Sequence, residues 1–82
     1  MIYEIEIKNR AIKDLELLSS EEKQRVSARI DELRNDLQGD VKRLRNFIPR
    51  FRLRSGDYRV LFEVEESRII VYRVRHRRDV YR

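Results

Sequence analysis

Eighty-two residues with no cysteine, two glycines and one proline make a single small domain, with no room for a second domain or a large enclosed pocket and no disulfide or thiolate–metal support. No run approaches the ~18 apolar residues of a membrane span and no signal-peptide pattern opens the chain, which suits a cytoplasmic protein. The net charge of +5 is uneven: residues 1–41 hold 7 Lys+Arg and 10 Asp+Glu, whereas residues 42–82 hold 13 and 5, so an arginine-rich half suited to a polyanion follows a mildly acidic one.

Residues 2–7, IYEIEI, set Tyr3, Ile5 and Ile7 against Glu4 and Glu6, the period of a strand with one wet face. Asn9 is placed to cap a short helix over residues 10–18, where Ala11, Leu15 and Leu18 fall at helical spacing beside Ile12. Ser19 with Glu22 forms a capping-box pattern that announces a second helix over 20–38, with Val26, Ile30, Leu33 and Leu37 in one stripe and Gly39 as its stop. The short connection predicts an antiparallel helical hairpin.

Residues 40–49 are expected to be a connector anchored by Leu44, Phe47 and Ile48, with Pro49 holding Ile48 out of helical geometry. In RFRLRSGDYR, residues 50–59, Arg50, Arg52 and Arg54 alternate with Phe51 and Leu53, and Ser55, Gly56 and Asp57 are turn residues. The next strand continues as VLFEV, with Tyr58, Val60, Phe62 and Val64 inward and Arg59 outward. Such a hairpin gathers Arg50, Arg52, Arg54 and Arg59 on one sheet face, where four planar donor forks that keep their charge suit phosphate. Glu66 and Ser67 turn the chain again. Residues 69–74, IIVYRV, are apolar on both faces and read as a central strand, before a basic tail, RHRRDVYR.

The expected fold is α+β: an N-terminal strand, a helical hairpin, then a three-stranded antiparallel sheet, with the helices packed on one face. The expected core is Ile5, Ile7, Leu15, Leu18, Val26, Ile30, Leu33, Val60, Phe62, Val64, Ile70 and Tyr72.

The whole order, and above all RLRSGDYRVLFEV at 53–65 and VRHRRDVY at 74–81, resembles the RelE-type toxins of the RelE/ParE toxin–antitoxin superfamily. The resemblance implies a toxin that enters the ribosomal A site and cleaves messenger RNA, an mRNA interferase neutralised by a cognate antitoxin, with a toxin–antitoxin heterotetramer as one assembly. It implies no cofactor. It assigns the family's phosphate-binding arginine to Arg59 and two strand positions, lysine in the best-known members, to Arg50 and Arg52. The terminal tyrosine matches Tyr81, and the basic residue before it falls on Arg75 or Arg77.

RNA cleaves itself when a 2′-OH attacks the adjacent phosphate, so a protein must orient the groups, neutralise the phosphorane and move two protons. Arg50, Arg52 and Arg59, with Arg77, suit charge stabilisation, but an arginine is a poor proton carrier at neutral pH. His76 and Tyr81 remain as proton carriers. His76 also reads as a strand-end histidine bonded to backbone, and Tyr81 as a base-stacking or packing residue. Arg54, Arg73, Arg75 and Arg78 are assigned to RNA-backbone contact. No metal-ligand cluster, phosphate loop or Ser/His/Asp set occurs in the sequence. Two other functions fit the same chain: a ParE-like toxin acting on DNA gyrase, and a non-catalytic module that binds RNA or antitoxin.

Overall fold

The computed structural model describes residues 1–80; Tyr81 and Arg82 lie outside the described residues. A strand β1 (Glu4–Ile7) leads into helices α1 (Asn9–Glu16) and α2 (Ser20–Glu32), followed by strands β2 (Asp40–Arg43), β3 (Phe51–Ser55), β4 (Tyr58–Glu65) and β5 (Arg68–His76). The strands form one sheet in the order β1-β5-β4-β3-β2. β2 to β5 are antiparallel neighbours, and β1 lies parallel to β5.

The sheet is therefore five-stranded and mixed, where a separate N-terminal strand and a three-stranded antiparallel sheet were expected. Residues 40–43 are a strand because Asp40 to Arg43 pair with Arg54 to Phe51. Their own sequence, DVKR, carries little β signal; the arginine strand supplies the partner. Of the expected anchors in residues 40–49, Leu44 and Phe47 are half-buried, but Ile48 is 85% exposed.

The helices differ at their ends from the sequence pattern. Lys8, not Asn9, is the N-cap of α1 and makes no side-chain cap bond. At α2 the capping box is present: the Ser19 hydroxyl accepts the Glu22 N–H at 3.2 Å, and Ser19 Oγ donates to Glu22 Oε1 at 3.1 Å. α2 stops at Glu32, six residues before the expected end at 38. There the chain turns to meet the N-terminal segment. The Tyr3 N–H donates to the Arg34 carbonyl, the Asp36 N–H to the Met1 carbonyl, and Asp36 and Leu37 both take positive φ.

The core lies between the helices and one sheet face. Ala11 and Leu15 of α1, Val26 and Ile30 of α2, and Leu33 pack on Leu53, Val60, Phe62, Ile69, Val71 and Val74. Phe51 and Phe62 stack at 5.5 Å between ring centroids. Ile5, Ile7, Leu18 and Val64 pack against this cluster while only partly buried.

The expected core differs on β5. Leu61 faces Arg73 while Phe62 faces Val71, so Tyr72 is an extra residue, a β-bulge. Ile69 and Val71 before the bulge, and Val74 after it, meet the helices. Tyr72 is only half-buried, and Ile70, though buried, belongs with Leu61 outside the main cluster. β5 is thus apolar on both faces, as its sequence predicts.

Candidate nucleic-acid interface

Residues directly opposite each other on paired strands share a face. The register sets Arg54 against Arg59 and Arg59 against Arg75, so three arginines from β3, β4 and β5 form a row on the face away from the helices. A second row beside it runs Lys42, Arg52, Leu61, Arg73. The two rows are about 7 Å apart along the strands, the spacing of alternate residues. Asp40 lies opposite Arg54 at the β2 end of this row, but Arg59 has an arginine on either side, and like charges directly opposite destabilise a sheet, so the row is an arrangement that an anion relieves.

The row is built by the turn beside it. β3 and β4 are joined by Gly56 and Asp57 alone, and Gly56 takes φ 58°, a conformation that glycine adopts without steric cost. The turn carbonyls then hold the arginine. One guanidinium nitrogen of Arg59 donates to the Gly56 carbonyl at 2.8 Å and to the Tyr58 carbonyl at 3.0 Å. The side chains of Arg54 and Arg75 make no hydrogen bond or close ion pair to another described residue, although the charge of Arg75 is felt by Asp14; Arg54 is exposed and Arg75 half-buried.

The other expected site residues are placed differently. Arg52 lies on the same face, its side chain 14% exposed, with a guanidinium nitrogen 3.6 Å from Asp40. Arg50 immediately precedes β3, and there Glu63 accepts both its backbone N–H at 2.7 Å and its Nε at 2.8 Å. That carboxylate neutralises Arg50. Arg73 is held by Asp14 of α1, with Nε to Oδ2 at 2.8 Å and a terminal nitrogen to Oδ1 at 3.2 Å. Arg77 lies past the end of β5, exposed and 3.8 Å from Asp57, and Arg78 is exposed. Arg75, not Arg77, therefore joins Arg59.

His76 is opposite Tyr58, whose ring packs against the core on the helix side, so His76 faces away from the arginine row. Its ring meets Tyr58 edge-on at 5.5 Å, and its Nδ1 accepts the Arg78 N–H at 3.2 Å. Tyr81 lies outside the described residues.

Three carboxylates that the sequence did not single out shape this face: Asp14, Glu63 and Asp40. Their partners are 59, 13 and 12 positions away along the chain, so only the sheet register reveals them. Burial pushes the Asp14 carboxyl up, but the Arg73 hydrogen bond, the Val74 N–H and the charges of Arg73 and Arg75 outweigh it and hold it below the usual carboxylate range. The Arg73 guanidinium is raised in return by its bond to Asp14. Among the described residues, no three His, Asp or Glu side chains converge as a metal site, and no helix is long and apolar enough to cross a membrane.

A family model for the ParE toxin of the type II toxin–antitoxin system parDE matches residues 5–81. Toxin RelE3 of Methanocaldococcus jannaschii is 33% identical over 75 residues, covering 85% of either chain. The fold is similar to the RelB–RelE antitoxin–toxin complex of Methanococcus jannaschii, at TM-score 0.75 and 29% identity over 92% of this chain and 93% of that one. It is also similar to the toxin–antitoxin complex RelBE2 of Mycobacterium tuberculosis, at TM-score 0.81 and 23% identity over 93% and 99% of the two chains.

Proposed function

Because the chain belongs to the RelE/ParE superfamily of type II toxin–antitoxin toxins, we propose that it inhibits translation as an endoribonuclease that cuts messenger RNA held in the ribosome. The observation that carries this reading is the row Arg54, Arg59 and Arg75 on an open sheet face, with Arg52 beside it. Three adjacent strands fix where the arginines leave the sheet, and the Gly56 and Tyr58 carbonyls aim Arg59, so its donors need little reorganisation when charge develops on a phosphate.

The RNA brings its own nucleophile. A 2′-oxygen attacks the adjacent phosphorus and gives up its proton, the bond to the 5′-oxygen breaks, and that oxygen takes a proton. Arg59, aimed by the Gly56 and Tyr58 carbonyls, and Arg75 opposite it neutralise the pentacovalent phosphorane. Arg54 and Arg52 hold the flanking backbone. Arg50 and Arg73, each bound to a carboxylate, position the sheet edge and α1 and do not meet the scissile phosphate. His76 orders the start of the tail. Tyr81 keeps the role that the family resemblance gives it, moving a proton or stacking on a base.

The toxin's partner is a cognate antitoxin, as in the RelB–RelE complex of the archaeal relative. A toxin–antitoxin heterotetramer in the cytoplasm is the assembly we propose. A ParE-like action on gyrase is the second reading, favoured by the family model that covers residues 5–81. Primer extension on messages after induction, beside a gyrase supercoiling assay, separates the two. Cut messages with normal supercoiling are expected. Intact messages with inhibited gyrase would establish the second reading, and intact messages with normal gyrase would leave a binding module.

A further inference from the structure

The arginine row lies at the turn end of β3, and a different concavity lies at the other end. The loop from β2 to β3, residues 44–50, closes on itself through the Leu44 N–H and the Arg50 carbonyl at 2.7 Å. It encloses an open depression of about 770 Å³. Arg43, Arg45 and Arg50 rim it, and Leu44, Phe47 and Ile48 give it apolar walls. Ile48 is 85% exposed, where the sequence pattern had it as an anchor. Leu17 and Ile2 are exposed to a similar degree, but Ile48 is grouped with Leu44 and Phe47 in one lining on a tied loop, and it is the grouping that is informative.

The combination is chemically specific. A volume of this size falls in the range of small-ligand pockets. Apolar and aromatic walls take the face of a base, and a cationic rim takes the phosphate attached to it. Arg50 immediately precedes β3 and Arg54 lies four residues on within it, a span of at most about 13 Å. Arg52 and Lys42 lie between them on the same sheet face. A single strand held at the Arg54–Arg59–Arg75 row and laid along β3 thus has cations to follow as far as the loop.

We infer that the β2–β3 loop is a second subsite, which receives an unpaired base of the same message a few nucleotides from the scissile phosphate, and that Phe47 and Ile48 bias which sequences are cut. This rests on the RNA-cleaving reading above and adds a specificity element to it. Among the described residues the lining holds no carboxylate: Arg43 and Arg45 carry its charge, since Glu63 neutralises Arg50, and Asn46 adds a neutral polar side chain.

The test uses the full chain and a short single-stranded RNA with 2-aminopurine placed at successive positions, at low salt. Anisotropy of an end label reports total binding, and 2-aminopurine fluorescence reports stacking at one position. In the wild type one position, offset from the cleavage site, should show a saturable fluorescence change. Ile48→Ser and Phe47→Leu should abolish that change and weaken total binding by about 10-fold, the scale of one lost stacking contact. Arg54→Gln should weaken binding without moving the fluorescent position. Ile48 is solvated, so Ile48→Ser keeps the fold, and thermal unfolding verifies this for both variants. A wild-type chain that binds while the loop variants leave the 2-aminopurine signal unchanged overturns the subsite and leaves the RNA face standing. A wild-type chain that binds no RNA overturns the subsite, and primer extension on messages after induction decides the cleavage reading separately.

Discussion

Asp14 of α1 reaches Arg73 of β5 across 59 residues of sequence, its Oδ2 accepting Nε at 2.8 Å and also the Val74 N–H at 2.9 Å. β1 pairs with β5 only as far as Val71. Beyond that point β5 would be an open edge, and Asp14 closes it at the bulge. The bulge in turn sets the frame in which Arg75, not Arg77, faces Arg59.

Asp14→Asn keeps the shape and removes the charge, and should cost about 1–3 kcal/mol, the range for a charge-assisted hydrogen bond. The Asp14 carboxyl is depressed in the folded state. The stability it contributes is therefore full above the unfolded-state value near 4 and is lost as pH falls through the folded value. Chemical denaturation of both proteins at pH 7 and at decreasing pH should show the gap between them shrinking below about pH 4. A gap that widens on acidification contradicts the assignment.

Stability and activity should move apart at the arginine row. Arg54→Gln relieves the pair with Arg59 but gives up the charge of Asp40 opposite it, and Arg75→Gln relieves the other pair but gives up its attraction for Asp14, so unfolding free energy should change by less than about 1 kcal/mol in either variant. Cleavage should fall in both. Added phosphate should raise the melting temperature of the wild type more than that of either variant, since a ligand stabilises only the state that binds it.

Two backbone positions give opposite signs. Glu66 turns β4 into β5 at φ 56°, and Glu66→Gly should stabilise by about 1 kcal/mol by removing the left-handed penalty. Gly39 enters β2 at φ 131°, and a Cβ there would lie 2.9 Å from Leu53 Cδ1 in the core. Gly39→Ala should destabilise by about 1–3 kcal/mol. Urea midpoints measure both.

Much of this was legible in the sequence because periodicity reports burial. IYEIEI, the Ser19 capping box, the alternating arginines and the SGDY turn each gave their element. What failed depended on distant partners. DVKR becomes a strand only beside Arg52 and Arg54, and α2 ends early because the N-terminal segment bonds residues 34 and 36. A bulge leaves no mark in a composition pattern, so Tyr72 seemed a core residue and the tail arginines could not be told apart. The four arginines expected on one face are better described as Arg52, Arg54 and Arg59 with Arg75, because Glu63 claims Arg50.

His76 tests the facing of the tail. Its ring packs on Tyr58, on the helix side. His76→Gln should lower the melting temperature and leave the pH–rate profile of cleavage unchanged near neutrality. A flattened profile would put the imidazole in proton transfer.

The most direct measurement is single-turnover cleavage of a defined message on purified, programmed ribosomes, comparing wild type, Arg59→Ala, Arg75→Ala and Arg77→Ala. Arg59 and Arg75 are the opposed pair, so each alanine variant should lose about 10²-fold or more, the scale of one preorganised donor. Arg77→Ala should stay near wild type. An intact message with the wild-type protein, or a loss at Arg77 with none at Arg75, would contradict the cross-strand arginine row as the cleavage site.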